Sequence, residues 1–345
     1  MKLSTRLIPA AAISAAAALL LSGCVTGEGP VTAQEPVASD ASYSTDTLNI
    51  DFATYNPLSL IIKDQHWLED QFGTDVTVNW VQSAGSNKAN EALRAGAIDI
   101  GSTAGSAALL AKSNGSPIQA IDIFSQPNWA AILVPAGSPI TDVAELTGKS
   151  IAATKGTDPY FFLIQSLEAA GLTLADVNVQ NLQHADGKAA LESGAVDAWA
   201  GLDPLLSTSV AVAGSKIIYD NIDFNTYGFL NATDDFVQNH ADVAQVVVNA
   251  YEKARAWAIA NPDETASILA GVAGIDVAIS TTQLTERTNF AVNPAPGPDQ
   301  LAVLTIVGPI FVESGDVADQ GLIDTALDSL LNPEFADQAD PDAIG

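Results

Sequence analysis

The sequence predicts an α/β protein of two similar lobes. One observation is a repeated unit: an apolar helix end runs into Gly96 and the short strand 97–100, and the same order returns 98 residues later at Gly194 and 195–198. A helix, a glycine at its C-terminal cap and a short apolar strand together form half of a βαβ unit. The second observation is the length of 345 residues, enough for two domains at roughly 150 residues each. Because helix–glycine–strand joints occur in many α/β proteins, two unrelated units are the alternative.

The charge balance excludes some classes of partner. The chain has 13 Lys and Arg against 41 Asp and Glu, a formal net charge of −28. Such a surface repels phosphate backbones and anionic lipid headgroups, so we expect no nucleic-acid partner. An excess of acid is also typical of a surface that keeps a protein soluble.

The N-terminus predicts export and a lipid anchor. Lys2 and Arg6 precede an apolar stretch, 7–21, which is shorter than the roughly 18–20 residues of a membrane span. Leu-Ser-Gly-Cys at 21–24 resembles the lipobox of bacterial lipoproteins, in which the cysteine becomes the lipidated first residue. We therefore expect 1–23 to be a signal peptide and Cys24, the one cysteine, to carry lipid. Residues 24–46 have the polar composition of a flexible linker.

The elements of the first lobe begin with a period-2 strand at 48–53. Asn56 is a good N-cap, and Pro57 stands where its missing N–H costs nothing, so a helix begins there. The pattern then predicts a strand at 76–82, the repeated unit, a helix at 107–112 and strands at 118–124 and 130–134. We expect the first crossing between lobes near 133–136.

The second lobe repeats this order, and a helical segment follows it. Strands are expected at 150–154, 176–182 and 216–219, with helices at 159–170 and 188–193. The return crossing is expected at 226–231, and an amphipathic helix at 243–261 ends before Pro262. The predicted division is 47–133 and 229–331 for the first lobe, 134–228 for the second lobe, and a frayed acidic tail at 332–345. Asp99 and Asp197 hold equivalent places in the two units, which predicts a shared structural bond.

Small polar residues follow several predicted strands, just before a helix begins. In an open α/β sheet, ligands bind outside the carboxyl ends of the strands. A helix N-terminus there carries unpaired N–H groups and roughly half a positive charge, so it can hold an anion without Lys or Arg. The acidic surface would repel a zwitterion less than a simple anion. The alternative is that each residue only caps its own helix. The four loops are Tyr55-Asn56, 83–87, 102–106 and Thr157-Asp158.

These segments carry a family resemblance over most of 47–331. The chain resembles the solute-binding proteins of ABC importers for aliphatic sulfonates, within the wider nitrate, sulfonate and taurine group. The resemblance implies the type II periplasmic-binding-protein-like fold, with two lobes that close on a small organic anion. It also implies delivery to an ABC permease and its ATPase. The matching segments are 92–101, 132–140, 146–151, 155–157, 167–172, 196–199 and 260–263.

The resemblance also implies the ligand-binding residues. Two departures are visible: Leu202 stands where sulfonate-binding relatives tend to have a second Trp, and the first loop, 53–57, is not the commonest form. Arg287 would approach the cleft, although a surface position is the alternative. Trp199 and Asp203 have competing structural roles, in the core and as a helix cap. The implied set is Tyr55, Asn56, Gly85, Ser86, Thr103, Ala104, Gly105, Ser106, Trp129, Gly156, Thr157, Asp158, Trp199 and Asp203.

Enzymatic signatures are missing from the sequence. The three histidines, His66, His184 and His240, lack metal-ligand spacing, and no nucleophile elbow, P-loop or dinucleotide fingerprint follows a strand. We therefore expect a monomeric, cofactor-free binding protein anchored outside the cytoplasm. A ligand sensor for a membrane receptor, or an importer component for nitrate or taurine, is the alternative.

Overall fold

The computed structural model describes residues 43–345, in which two β-sheets are surrounded by helices. The predicted signal peptide, Cys24 and most of the predicted linker lie outside the described residues. The strands are β1 (Thr47–Phe52), β2 (Thr77–Gln82), β3 (Ile100–Ala104), β4 (Ile118–Pro127), β5 (Ala130–Val134), β6 (Ser150–Ala153), β7 (Asn178–Asn181), β8 (Ala198–Leu202), β9 (Lys216–Tyr219), β10 (Gly228–Thr233) and β11 (Thr288–Asn289).

The helices flank both sheets, and from Asp234 onward most of the chain is helical. They are α1 (Pro57–Asp64), α2 (Trp67–Phe72), α3 (Ser86–Arg94), α4 (Gly105–Ser113), α5 (Asp158–Ala169), α6 (His184–Glu192), α7 (Leu205–Thr208), α8 (Asp234–Asn239), α9 (Ala241–Ala260), α10 (Pro262–Ala273), α11 (Val277–Glu286), α12 (Pro298–Glu313), α13 (Gln320–Leu330) and α14 (Glu334–Asp337).

The two sheets have matching topologies, which confirms the predicted two-lobed α/β fold. The first sheet has the order β11-β4-β10-β3-β1-β2 and the second β7-β6-β8-β5-β9. In each, three parallel strands are followed by one antiparallel strand, β10 in the first lobe and β5 in the second. Each of these antiparallel strands enters its lobe directly after a crossing between the sheets.

Asp99 and Asp197 make the same bond in both lobes, as predicted. The backbone N–H of Asn49 donates to Asp99 Oδ2 at 2.8 Å, and that of Ser150 donates to Asp197 Oδ2 at 2.8 Å. The return bonds run from each aspartate N–H to the carbonyl of Asn49 or Ser150, at 2.7 and 2.9 Å. These bonds fix the start of the middle strand of each lobe and belong to the scaffold.

The crossings lie a few residues from their expected places. Ala130–Val134 pairs with β8 and β9 and therefore belongs to the second sheet, so the first crossing is Asn128-Trp129 rather than 133–136. The return crossing spans 220–227, because β10 already belongs to the first sheet at Gly228. Asn225 ties the two crossings together: its Oδ1 accepts from the Ala130 N–H at 2.9 Å, and its Nδ2 donates to Asn128 Oδ1 at 3.1 Å.

The tail after residue 331 is ordered against α9, which corrects the expectation that it is frayed. Phe335 and Ile344 are buried, and Lys253 Nζ donates to the carbonyls of Ile344 and Gly345 at 2.9 Å. Apolar side chains among the acids of 332–345 supply this packing.

Candidate ligand-binding cleft

The carboxylate of Asp158 lies between the two lobes and is held by four hydrogen-bond donors. Its Oδ1 accepts from Ser106 Oγ at 2.6 Å and Thr226 Oγ1 at 2.7 Å. Its Oδ2 accepts from Trp129 Nε1 and the Thr226 N–H, each at 2.8 Å. Asp158 is 1% exposed, so this carboxylate is removed from water.

These donors come from separate parts of the chain. Ser106 lies in the first turn of α4 in the first lobe, and Asp158 begins α5 in the second lobe. Trp129 lies in the first crossing and Thr226 in the return crossing. The site therefore joins both lobes at the place where the chain passes between them.

All the partners of Asp158 are neutral. Burial raises the pKa of Asp158, and the hydrogen bonds from Ser106, Trp129 and Thr226 act in the opposite direction. Neutral donors held by the fold satisfy a buried carboxylate without a cation, as helix N-termini and anion-binding loops do. The arrangement is chemically suited to an oxyanion.

The surrounding residues fix these donors in place. The Tyr55 hydroxyl donates to the Ser102 carbonyl at 2.9 Å, and its ring meets that of Trp129 edge to face, with centroids 6.1 Å apart. The backbone N–H of Gly105 donates to the Tyr227 carbonyl at 2.9 Å. A side chain at Gly105 would start 2.9 Å from the Phe229 ring, so glycine permits this close approach.

A second contact between the lobes joins the start of α3 to the start of α6. The His184 ring packs against Gly85, where a Cβ would lie 3.0 Å from Nε2, and Asn87 Nδ2 donates to Gln183 Oε1 at 3.4 Å. Among residues 43–345, His184 Nε2 and Asn87 Oδ1 are buried without a hydrogen-bond partner. Burial lowers the pKa of His184 to about 4, so the ring is neutral at pH 7.

Asp203 is part of an ion pair that also joins the lobes. Its Oδ1 accepts from the N–H and Oγ of Ser207 at 2.9 and 2.6 Å, and its Oδ2 accepts from Arg287 Nε at 2.7 Å. Arg287 Nη1 also donates to Asp220 Oδ2 at 2.9 Å. Both oxygens of Asp203, which the family resemblance places among the ligand contacts, therefore have protein partners, including the helix-cap bonds expected as the alternative. Arg287 lies at this bridge, between two carboxylates.

Three other predicted contacts lie inside a lobe. Asn56 is fully buried and donates to the Tyr251 hydroxyl at 3.0 Å, and Thr103 Oγ1 accepts from Asn231 Nδ2 at 2.8 Å. Trp199 is 1% exposed and packs in the core of the second lobe, which is the structural role given as the alternative in the sequence analysis.

Ser86 and Thr157 support the loops rather than face the carboxylate. Ser86 Oγ accepts from the Ala104 N–H at 2.9 Å, and Thr157 Oγ1 donates to the Thr154 carbonyl at 2.6 Å. Gly156, with φ +76°, turns the chain into α5 and lies against Asn87 of the other lobe. Of the predicted residues, Ser106, Trp129 and Asp158 therefore meet directly.

Thr226 and His184 were not identified from the sequence. Thr226 is the first residue of the predicted return crossing, and its hydroxyl is the feature that could have marked it as a hydrogen-bonding residue between the lobes. The isolated histidines suggested no role for His184, because its contact with Gly85 joins residues about a hundred positions apart. Within 43–345, no cluster of three His, Cys, Asp or Glu residues is arranged to hold a metal ion. None of the helices in this range is both long and apolar enough to cross a membrane.

Comparisons with known proteins agree with this architecture. The sequence is 31% identical over 222 residues to a putative aliphatic sulfonates-binding protein of Bacillus subtilis, covering 63% of this chain and 67% of that one. It is 27% identical over 256 residues to the Escherichia coli protein of the same description, covering 74% and 80%. The fold is similar to the alkanesulfonate-binding protein SsuA of Xanthomonas axonopodis pv. citri bound to MOPS, with a TM-score of 0.74, 24% identity and coverage of 82% and 98%. The model of the NMT1/THI5-like family matches residues 67–265, more than half of the sequence, and the chain belongs to that family.

Proposed function

We propose that this protein is the extracytoplasmic solute-binding component of an ABC importer. It captures a small organic anion, an aliphatic sulfonate, in the cleft between its lobes and delivers it to a permease served by an ATPase. The two bacterial relatives described as aliphatic sulfonates-binding proteins support this assignment. The proposal includes no chemical turnover.

The observation that carries the proposal is the carboxylate held between the lobes by Ser106, Trp129 and Thr226. A site that satisfies one buried carboxylate with four neutral donors has the hydrogen-bonding chemistry that a sulfonate headgroup requires. Neutral donors also suit a protein whose overall charge is strongly negative.

Binding would act through lobe closure. Ser106 belongs to the first lobe, and Trp129 and Thr226 belong to the crossings that lead to the second lobe. A ligand held by all three would therefore fix how the crossings lie against the first lobe, and so favour one arrangement of the two lobes. A ligand shifts such an equilibrium by its difference in affinity for the two forms. The permease would then recognise the closed form.

We also propose that the mature protein is a monomer tethered to the outer face of the cell membrane through lipid on Cys24. The lipobox-like Leu-Ser-Gly-Cys after a short apolar stretch supports this.

The test is a thermal-shift panel followed by calorimetry. Alkanesulfonates should raise the melting temperature by mass action, and taurine, nitrate, sulfate and aromatic sulfonates define the limits of the site. Ser106→Leu should abolish the shift, because its side chain would fill the space between α4 and the Asp158 carboxylate. Ser329→Leu, the same change on an exposed face of α13, is the matched control.

A wild-type protein that no sulfonate stabilises would refute the sulfonate assignment. If nitrate or sulfate alone raises the melting temperature, the cleft serves an inorganic anion. Equal sulfonate affinity in Ser106→Leu and Ser329→Leu would place the ligand elsewhere.

A further inference from the structure

We propose that Asp158 is a tethered competitor for the ligand: its carboxylate occupies the oxyanion position of the cleft, and an incoming sulfonate must displace it. This inference rests on the proposed function, since it concerns how the same cleft selects a small organic anion. Asp158 then sets the affinity and the class of ligand without itself holding the ligand.

The first argument is that the site is complete as it stands. An ionised carboxylate accepts about four hydrogen bonds, and Asp158 has four. Each donor contributes a single hydrogen, from Ser106 Oγ, Trp129 Nε1, or the N–H or Oγ1 of Thr226. No donor in this set is left for a second anion, and Asp158 has no lone pair left for an ammonium group.

The second argument is electrostatic. A sulfonate that entered beside Asp158 would place two negative charges together in a site removed from water, where like charges repel more strongly than at the surface. Among residues 43–345, no Lys or Arg bonds to the Asp158 carboxylate to offset that repulsion. The sulfonate and the carboxylate therefore exclude each other from these donors.

The third argument is that the tether lies on one lobe and a donor on the other. Asp158 begins α5 after the turn at Gly156, whereas Ser106 begins α4 in the first lobe. Separation of the lobes breaks the bond from Ser106 to Asp158 and frees the hydroxyl. A ligand anion can then bond to Ser106 Oγ first and compete with the carboxylate for the donors of Trp129 and Thr226.

The experiment compares alkanesulfonate affinity in four proteins by calorimetry with ethanesulfonate and butanesulfonate. Asp158→Ser removes the competing carboxylate and should bind sulfonate at least about tenfold more tightly than the wild type, the effect of one charge-assisted hydrogen bond. Asp158→Asn keeps the side-chain size, so it guards against a folding defect in the serine variant, and it should also bind more tightly. Asp186→Asn removes one exposed charge from the same lobe and should match the wild type within about twofold.

The outcomes separate this inference from the proposed function. Tighter binding by both Asp158 variants, with an unchanged control, supports the tethered competitor. Equal affinity in all four proteins, or weaker binding by both variants, overturns it while the sulfonate function stands. If none of the four binds any sulfonate, the proposed function and this inference both fail.

Discussion

Replacing Arg287 by methionine should destabilise the protein strongly, because it leaves a carboxylate buried without its cation. Arg287 Nε lies 2.7 Å from Asp203 Oδ2, with side chains 10% and 1% exposed. Methionine keeps most of the apolar stem of the arginine and removes its charge. The change therefore isolates the electrostatic contribution of the bridge.

The expected loss at pH 7 is about 3–5 kcal/mol, the usual cost of removing one partner of a buried ion pair. The second contact, to Asp220, adds little: that side chain is 33% exposed, and exposed pairs contribute about 0–1 kcal/mol. Burial already raises the pKa of Asp203, and Arg287 opposes the shift. Without Arg287 the pKa rises further, and a carboxyl whose folded pKa is raised costs stability above its unfolded pKa of about 3.9.

The loss caused by Arg287→Met should therefore shrink as the pH falls from 7 towards 4.5, because protonation of Asp203 removes the charge that is left without a partner. Urea unfolding followed by circular dichroism at both values measures this, with exposed Arg94→Met as the control. The double variant Asp203→Asn/Arg287→Met should be more stable at pH 7 than Arg287→Met alone. A loss below about 1 kcal/mol at pH 7, or one independent of pH, would refute the reasoning.

Three other predictions concern titration and anchoring. Burial raises the pKa of Asp51 to about 7, so its ionisation lowers the free energy of unfolding as the pH rises from 4 to 7. In unfolding measurements, Asp51→Asn should remove this dependence of the free energy on pH. Burial lowers the pKa of His184 to about 4, so the free energy of unfolding falls as the pH drops below about 6.5. His184→Asn should make the free energy of unfolding less dependent on pH in this acidic range. Cys24→Ala should release the full-length protein from membranes in a fractionation, and continued anchoring would contradict the lipobox assignment.

Much of the scaffold could be predicted because its signals are local. Gly96 and Gly194 both have positive φ and end the helices that the sequence placed before them, and the bonds of Asp99 and Asp197 follow from the repeat. Helix α11 was missed because its sequence, rich in β-branched residues, has weak helix propensity. Its helical form depends on packing against α10 and α7, which local pattern does not reveal.

The position of the first crossing could not be predicted for a related reason. Residues 130–134 were correctly identified as a strand, but the identity of its sheet depends on pairing with β8 and β9, far along the chain. A strand of five buried residues fits either sheet equally well. The local sequence pattern therefore predicts that residues 130–134 form a strand, whereas strand pairing over a long sequence separation determines which lobe the strand joins.

The bonding within the candidate site could be predicted only in part. Ser106 and Asp158 were both expected at the cleft because they follow strands, and they are in contact. Thr226, which also bonds to Asp158, is 68 residues away from it along the chain. A sequence shows that an aspartate stands in a loop; it does not show whether the carboxylate faces a ligand or takes the ligand's place.

The buried arginines bear on our proposal that the cleft recognises an anion through neutral donors. In the described part of the chain, the largely buried arginines are Arg255, paired with Glu252 at 3.0 Å, and Arg287, paired with Asp203. Since both cations are already paired with carboxylates, the proposed anion would be held by hydrogen bonds alone. The Asp158 carboxylate already occupies the four donors, so under our proposal this single residue decides whether they are available to a ligand.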